Sequence, residues 1–405
     1  MTTLALDVFR VNSVGQELKV GRLAQDKQVY FQYDADYLTQ GHSLSPFRLP
    51  FTPDLHLCHD NAQRLHGVFA DSLPDGWGQL LIDRWLRSQG RLPKTLTLMD
   101  RLALVGERGM GALRYRPGAN MPTNHPLIEL ISLGQQAQAI FEGHSDEVLP
   151  QLLTMGSSGG ARPKAVIYVQ APTQLLSTHP QQDYEPWLIK FTANSLALGH
   201  DEGRCEAAYL ILAQQAGINV PEWRLYEQDG QAWLMLKRFD APNAFGRYHM
   251  HSAAGLLDAN FREPSLDYED LIKATVKLCQ SVEAGQQQLL RALFNLYACN
   301  RDDHSKNWAF LQDDAGRWQP SPMFDVTFSP NAYGEHMTAY AGYGKNPPKK
   351  ALMRLAGQAG ISQWSTVAHM IECIRDVLAG WDTVARELDV GEANRKLIGK
   401  ALDGR

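Results

Sequence analysis

The feature that most constrains this 405-residue chain is a polar knot set between two apolar segments. Leu293-Phe294-Asn295-Leu296-Tyr297-Ala298-Cys299 reads as the end of an apolar helix, and Trp308-Ala309-Phe310-Leu311 as a short strand. Between them stand Asn300, Asp302, Asp303, His304, Lys306 and Asn307. Apolar flanks of this kind point to a polar loop held on a buried scaffold. Asp302 and Asn307 are five positions apart, the spacing with which a phosphoryl-transfer loop holds a proton acceptor and a magnesium ligand together. Phe324-Asp325-Val326 adds an isolated acid behind a bulky apolar residue. A lone Asp-x4-Asn is more often a turn, because these side chains bond nearby backbone groups. The flanks and the later acid favour the chemical reading.

The length allows two or three domains, and 44% apolar with 20% charged residues is ordinary globular composition. A formal charge of -5 leaves no basic excess for phosphate backbones, so DNA contact is expected only through a partner. The five cysteines, Cys58, Cys205, Cys279, Cys299 and Cys373, are scattered and form no CxxC pair, which fits a reducing compartment. Asp7 comes too early for a signal peptide, and no apolar run approaches about 18 residues. A cytoplasmic protein with no membrane association is the expectation.

Residues 4 to 33 alternate apolar and polar between Gly15, Gly21 and Asp26, predicting a small antiparallel sheet. Ser72-Leu73-Pro74-Asp75-Gly76-Trp77 forms a turn feeding a helix over 79–88, with Ser72 or Asp75 as its cap. His56, Cys58, His59 and His66 are metal-ligand types, but nothing completes a four-ligand set, and a structural role is favoured. Gly106 to Tyr115 lacks the strand that a nucleotide-binding glycine pattern requires, so it reads as a tight turn into an edge strand. Residues 117–126 read as a linker and 126–153 as helical.

Gly156-Ser157-Ser158-Gly159-Gly160-Ala161-Arg162-Pro163-Lys164 leads straight into the strand Ala165 to Val169. Glycines let backbone N–H groups approach phosphate oxygens, and Lys164 adds charge, although no Walker pattern is present. Lys190 is the single lysine in the apolar strand Trp187 to Phe191; it is either an edge lysine facing solvent or a phosphate-binding lysine. Glu206 or Glu202, on the following helix, is its candidate partner. Trp223 to Glu227 and Ala232 to Leu236 form a hairpin through Asp229-Gly230. The chain then turns helical, over 266–282, 286–299, 349–358, 363–379 and 392–402. A β-rich half followed by an α-rich half argues for two lobes and a cleft. The basic run Lys345 to Lys350 reads as a solvated loop.

In this order the parts resemble the HipA family of bacterial serine/threonine kinases, toxins of type II toxin-antitoxin modules. Ser72 to Trp77 and Gly106 to Arg114 resemble its N-terminal domain. Ser157 to Lys164, Trp187 to Phe191, Leu236 to Asp240, Asp302 to Asn307 and Phe324-Asp325 resemble its kinase core. The resemblance implies an α+β, two-lobed, protein-kinase-like fold with a β-rich N-terminal lobe, an extra small N-terminal domain and an all-α C-terminal lobe. Its divisions would be 1–115, a linker and helix over 116–150, a core with the glycine-rich loop over 151–240, and a helical lobe over 241–405.

The resemblance implies ATP and Mg²⁺ as cofactors, Asp302 as catalytic base, and Asn307 and Asp325 as metal ligands. Lys190 would hold the phosphates, with His304 beside them. Gly159, Gly160, Ala161, Arg162, Pro163 and Lys164 would cover the nucleotide, and Lys237, Arg238 and Phe239 would border the adenine. Ser157, or the adjacent Ser158, falls where the family carries an inhibitory autophosphorylation site. A HipB-like helix-turn-helix antitoxin is the implied partner, carrying the DNA contact, and the implied substrate is a protein serine, an aminoacyl-tRNA synthetase being among the family's targets. Arg162-Pro163 stands where many members have Gln-Glu, and Lys237 where an acid can occur; neither removes a reacting group. A small-molecule kinase shares the two acids and the amide but not the Leu-Pro-Asp-Gly segment. A catalytically silent co-repressor would be expected to lack Asp302, Asn307, Asp325 or Lys190, and all four are present.

Overall fold

Three strands open the chain, β1 (Ala5–Val11), β2 (Glu17–Gln25) and β3 (Val29–Tyr33). The computed structural model describes residues 4–58, 64–119, 130–145, 148, 152–153, 159–171, 175–228, 230–330 and 333–404. The alternation in the sequence puts Leu6, Val8, Leu23 and Phe31 on one buried face, and Val20 is buried with them where the β1–β2 register shifts. With β4 (His56–Leu57) and β5 (Leu113–Arg116) they make an antiparallel sheet in the order β4-β3-β2-β1-β5. The glycine-bearing segment after 105 is thus a turn into an edge strand, with Gly106 and Gly111 at positive φ.

Helices α1 (Ala35–Gln40), α2 (Gly67–Ala70), α3 (Gly76–Ser88), α4 (Leu98–Val105) and α5 (Leu130–Phe141) accompany this half. A Thr97/Asp100 capping box starts α4. Neither candidate cap of α3 acts as one: the Ser72 hydroxyl bonds Tyr115, and Asp75 occupies the cap position without a side-chain bond to the helix. His66 packs edge-on against Phe31 and Phe69, a structural place, while His59 lies outside the described residues. Of the helix expected over 126–153, the described part is α5 and residues 152–153.

The second sheet is β6 (Lys164–Gln170), β7 (Leu176–Ser177), β8 (Tyr184–Lys190), β9 (Trp223–Gln228) and β10 (Gln231–Lys237), in the order β7-β6-β8-β10-β9. Trp77, Leu81 and Leu86 of α3 and Leu133 and Ile140 of α5 pack with Ile167, Trp187, Ile189 and Trp233 in one apolar cluster. Helix α6 (Glu202–Gln215) also packs against the sheet, chiefly against β10.

The rest is built mainly of α7 (Ala253–Leu257), α8 (Tyr268–Cys279), α9 (Val282–Tyr297), α10 (Lys349–Gln358), α11 (Trp364–Ala379), α12 (Trp381–Glu387) and α13 (Glu392–Asp403). They share one large core that includes Tyr209, Leu289, Phe294, Leu355 and Trp381. The expectation of an all-α C-terminal lobe needs a correction. β11 (His249–Ser252), β13 (Ala309–Gln312) and β14 (Trp318–Pro320) form a three-stranded sheet, and β12 (Leu266–Asp267) pairs in parallel with β15 (Thr338–Ala339). His-Met-His-Ser is too short to show a period of its own, and its partner strand is distant in sequence.

Candidate active site

The two halves meet at Lys190. It ends β8, which lies between β6 and β10, so the edge-strand reading does not hold. Its side chain is 7% exposed, and its ammonium lies 2.6 and 2.8 Å from the two carboxylate oxygens of Glu206 on α6, and against Asp325. The other candidate, Glu202, pairs instead with Arg162 at 3.0 Å. Burial works against the Lys190 charge, but Asp325 and Glu206 outweigh it and raise the pKa. Burial likewise opposes the Asp325 charge, and Lys190 and Lys164 hold its carboxyl well below the usual carboxylate range. Asp325 has φ +51, a left-handed conformation that Asp tolerates better than most residues. Its neighbours anchor it: Val326 is buried and Phe324 meets Phe239 at 5.4 Å between ring centroids.

Helix α9 ends in a fixed way. Cys299 turns to φ +55, and the Asn300 amide donates to the Asn295 side chain at 3.0 Å. The loop beyond it divides its two acids. Asp303 is buried and accepts from Tyr268 Oη (2.6 Å), His336 Nδ1 (2.9 Å) and the backbone N–H groups of Met337 (2.8 Å) and Thr338 (3.2 Å). The Asp302 side chain is 59% exposed, with His304 Nε2 at 4.0 Å. Partial desolvation in the cleft and, more weakly, Asp325 raise its pKa, against the opposing effect of His304. Asn307 donates its amide N–H to the Asp302 carbonyl at 2.7 Å, leaving its own oxygen as the acceptor end.

The glycine-rich loop lies above. Gly160 has φ +100, and Lys164 Nζ donates back to the Gly159 carbonyl at 2.7 Å. Desolvation lowers the pKa of this buried lysine, with Asp325 acting in the opposite direction. Ser157 and Ser158 lie outside the described residues. On the far side Lys237 Nζ reaches Glu185 (2.5 Å) and Glu222 (3.2 Å), while Arg238 turns inward onto Asp240.

Two cavities open between these parts. One is lined by residues including Lys164, Lys190, Lys237, Phe239, Asn307 and Asp325. The other is lined by residues including Gly160, Arg162, Phe261, Asp302 and Thr327. They share Gly160, Lys164, His304, Asn307 and Asp325. The site residues read from the sequence, apart from Pro163 and the two serines, therefore line one cavity or the other. Pro163 lines neither; its carbonyl accepts from Phe191 N at 2.9 Å. Sequence reasoning gave no role here to Asp75, Lys306 or Asp303; an acid directly before the glycine of a turn was the one signal available for Asp75.

The HipA-like C-terminal domain family matches residues 156–381, and the HipA N-terminal domain family matches residues 13–116. The chain belongs to the HipA family. A solved HipA from Shewanella oneidensis MR-1, in complex with HipB and operator DNA, is similar at TM-score 0.71 and 16% identity, covering 98% of this chain and 95% of that one. At that identity the likeness shows the fold, a two-lobed kinase-like α+β arrangement. The Helicobacter pylori proinflammatory kinase CtkA is a much looser likeness, at TM-score 0.37 and 13% identity, over 55% of this chain and 84% of that one. No curated protein matches the sequence.

Proposed function

We propose that this HipA-family chain is an ATP-dependent serine/threonine protein kinase and the toxin of a toxin-antitoxin module. The observation that carries the reading is the meeting of Lys190, Glu206 and Asp325, with Asp325 and Asn307 lining both cavities and Asp302 lining the second. The first cavity would take the nucleotide, its base beside Lys237 to Phe239 and its phosphates toward Lys190, Lys164 and the glycine-rich loop. The second cavity would take the acceptor. Asp302, its carboxyl raised above the usual carboxylate range by desolvation, would orient the hydroxyl and receive its proton.

Magnesium fits the residues present. Asn307 and Asp325 offer hard oxygens, and Mg²⁺ keeps waters and phosphate oxygens as its other ligands, so two protein groups suffice. Among the described residues no cluster of three or more His, Cys, Asp or Glu is placed to hold a metal. When bound, the ion would neutralise charge on the phosphates.

Modification of Ser157 or Ser158 would add about two negative charges to a loop that must approach phosphate, which gives inhibition a physical cause. A HipB-like antitoxin is proposed as partner because the Shewanella HipA is seen with HipB and operator DNA, and the acidic net charge favours DNA contact through that partner. Incubation with γ-labelled ATP and cell extract, followed by phosphosite mapping, tests the reading. Label on serine or threonine, an aminoacyl-tRNA synthetase among the acceptors to look for, is the expected result. Asp325→Asn should lower transfer by roughly a thousandfold. Retained activity in that variant, or label on small molecules alone, refutes it.

A further inference from the structure

The turn Leu73-Pro74-Asp75-Gly76-Trp77 belongs to the N-terminal half, yet its polar groups are engaged in the cleft. Asp75 stands at the cap position of α3 without capping it. Its side chain, 8% exposed, is divided between two other segments: Oδ1 accepts the Gly160 N–H at 2.5 Å and Oδ2 accepts Lys306 Nζ at 2.8 Å. Trp77 reinforces the grip, its backbone N–H donating to the Gly160 carbonyl at 3.0 Å and its indole N–H to the Lys164 carbonyl at 2.9 Å. The approach is close enough to demand glycine between them. A Cβ on Gly76 would stand 2.5 Å from Ala161 Cα, and φ there is +37.

Lys306 completes the bridge. It precedes Asn307, lines the cavity assigned to the nucleotide, and rests its ammonium 4.2 Å from the centre of the Phe261 ring. Asp75 is its one ion-pair partner among the described residues. The glycine-rich loop above the cleft and the loop of Asp302 and Asn307 below it are therefore joined through a single carboxylate, contributed by a third part of the chain.

We propose that Asp75 is a positioning residue of the transfer site, fixing the glycine-rich loop and the Lys306 ammonium relative to each other. The proposal rests on the phosphotransfer reading above. Lys306, held on the cavity wall, is thereby aimed at the phosphate end of the nucleotide. The N-terminal domain acts as a structural part of the nucleotide site.

The test uses the full chain and separates the two halves of the contact. Asp75→Asn keeps an acceptor for the Gly160 amide and loses the charge that holds Lys306. It should leave the ATP KM within about twofold and lower kcat about tenfold. Asp75→Ala loses both contacts and should also raise KM about tenfold. In a Lys306→Met background, Asp75→Asn should lower kcat by less than about twofold, since the partner is already gone. Wild-type kcat in Asp75→Asn, or losses that multiply with those of Lys306→Met, overturns the proposal. Hydrogen exchange gives a readout independent of turnover: in Asp75→Ala, amides over 159–164 should exchange about tenfold faster while those of β10 do not change. Unchanged exchange there also overturns the proposal. Should the wild-type chain transfer no phosphate, the kinase reading falls, and the exchange result still decides the place of Asp75. Asp75→Asn serves where the alanine variant fails to fold.

Discussion

Adjacent side chains in the Asp302–Asn307 loop do opposite work. Asp302 is largely exposed beside His304, whereas Asp303 is fully buried and accepts four hydrogen bonds, from Tyr268, His336 and the backbone at 337 and 338. Replacing Asp303 removes a charged acceptor from an interior that has no other partner ready for those donors, a loss of roughly 3–5 kcal/mol. Asp303→Asn should therefore lower the melting temperature substantially, while Asp302→Asn leaves melting unchanged and abolishes transfer. Parallel calorimetry and ATP assays decide this, and a stable Asp303→Asn would show the network to be dispensable. Sequence singled out Asp302 by its spacing to Asn307 but gave Asp303 no role, because the groups that bury Asp303 arrive from α8 and from the segment leading into β15. The choice between Glu202 and Glu206 was open for the same reason. One turn apart on α6, they differ only in what other strands and loops present to them.

At the scale of elements, the legible parts were those whose signal is local. Alternation marked β1 to β3, Asp229-Gly230 marked the β9–β10 hairpin, and apolar periodicity marked α8 to α11 and α13. The short β11, β12, β14 and β15 carry no period and depend on distant partners, so they escaped. Short α12 escaped as well. One joint between elements gives a measurable consequence. The turn before β5 meets the segment after β10 at Asp240, which accepts from Gly111 N (2.7 Å) and from Arg238 (2.6 and 3.0 Å). Arg114 and Arg247 are buried close by, and burial together with its cationic neighbours pulls Arg114 down to about 10. Asp240 would be raised by desolvation, but Arg238 and then Arg247 hold it at about 2. A carboxyl depressed in the folded state stabilises above its unfolded pKa, near 4, and loses that contribution as pH falls toward 2. The contribution is roughly 2 kcal/mol at neutral pH. Asp240→Asn should lower stability at pH 7 by at least that much, since it removes the carboxylate that Arg238 pairs with and that Arg247 and Arg114 sit beside. It should also flatten the fall in stability between pH 4 and 2. An unfolding series across that range that superimposes on wild type after subtraction of a constant would refute the assignment.

For the whole molecule, the order of parts was legible and their embrace was not. Arg10 donates to Gln312 across 302 positions of sequence, Asp71 takes His251 and Ser252, and Asp75 takes Lys306. No window of residues reports such contacts. The Lys190 ammonium, placed where sheet, helix and loop converge, is shared by two acids. An incoming triphosphate would compete with Asp325 for that ammonium, and the displaced carboxylate would then favour a divalent cation. Nucleotide and magnesium would thus each strengthen the hold on the other, by the same factor in either direction. Calorimetric titration of ATP with and without Mg²⁺, and of Mg²⁺ with and without ATP, should return equal ratios well above one, and a ratio near unity would mean that Asp325 keeps its lysine throughout.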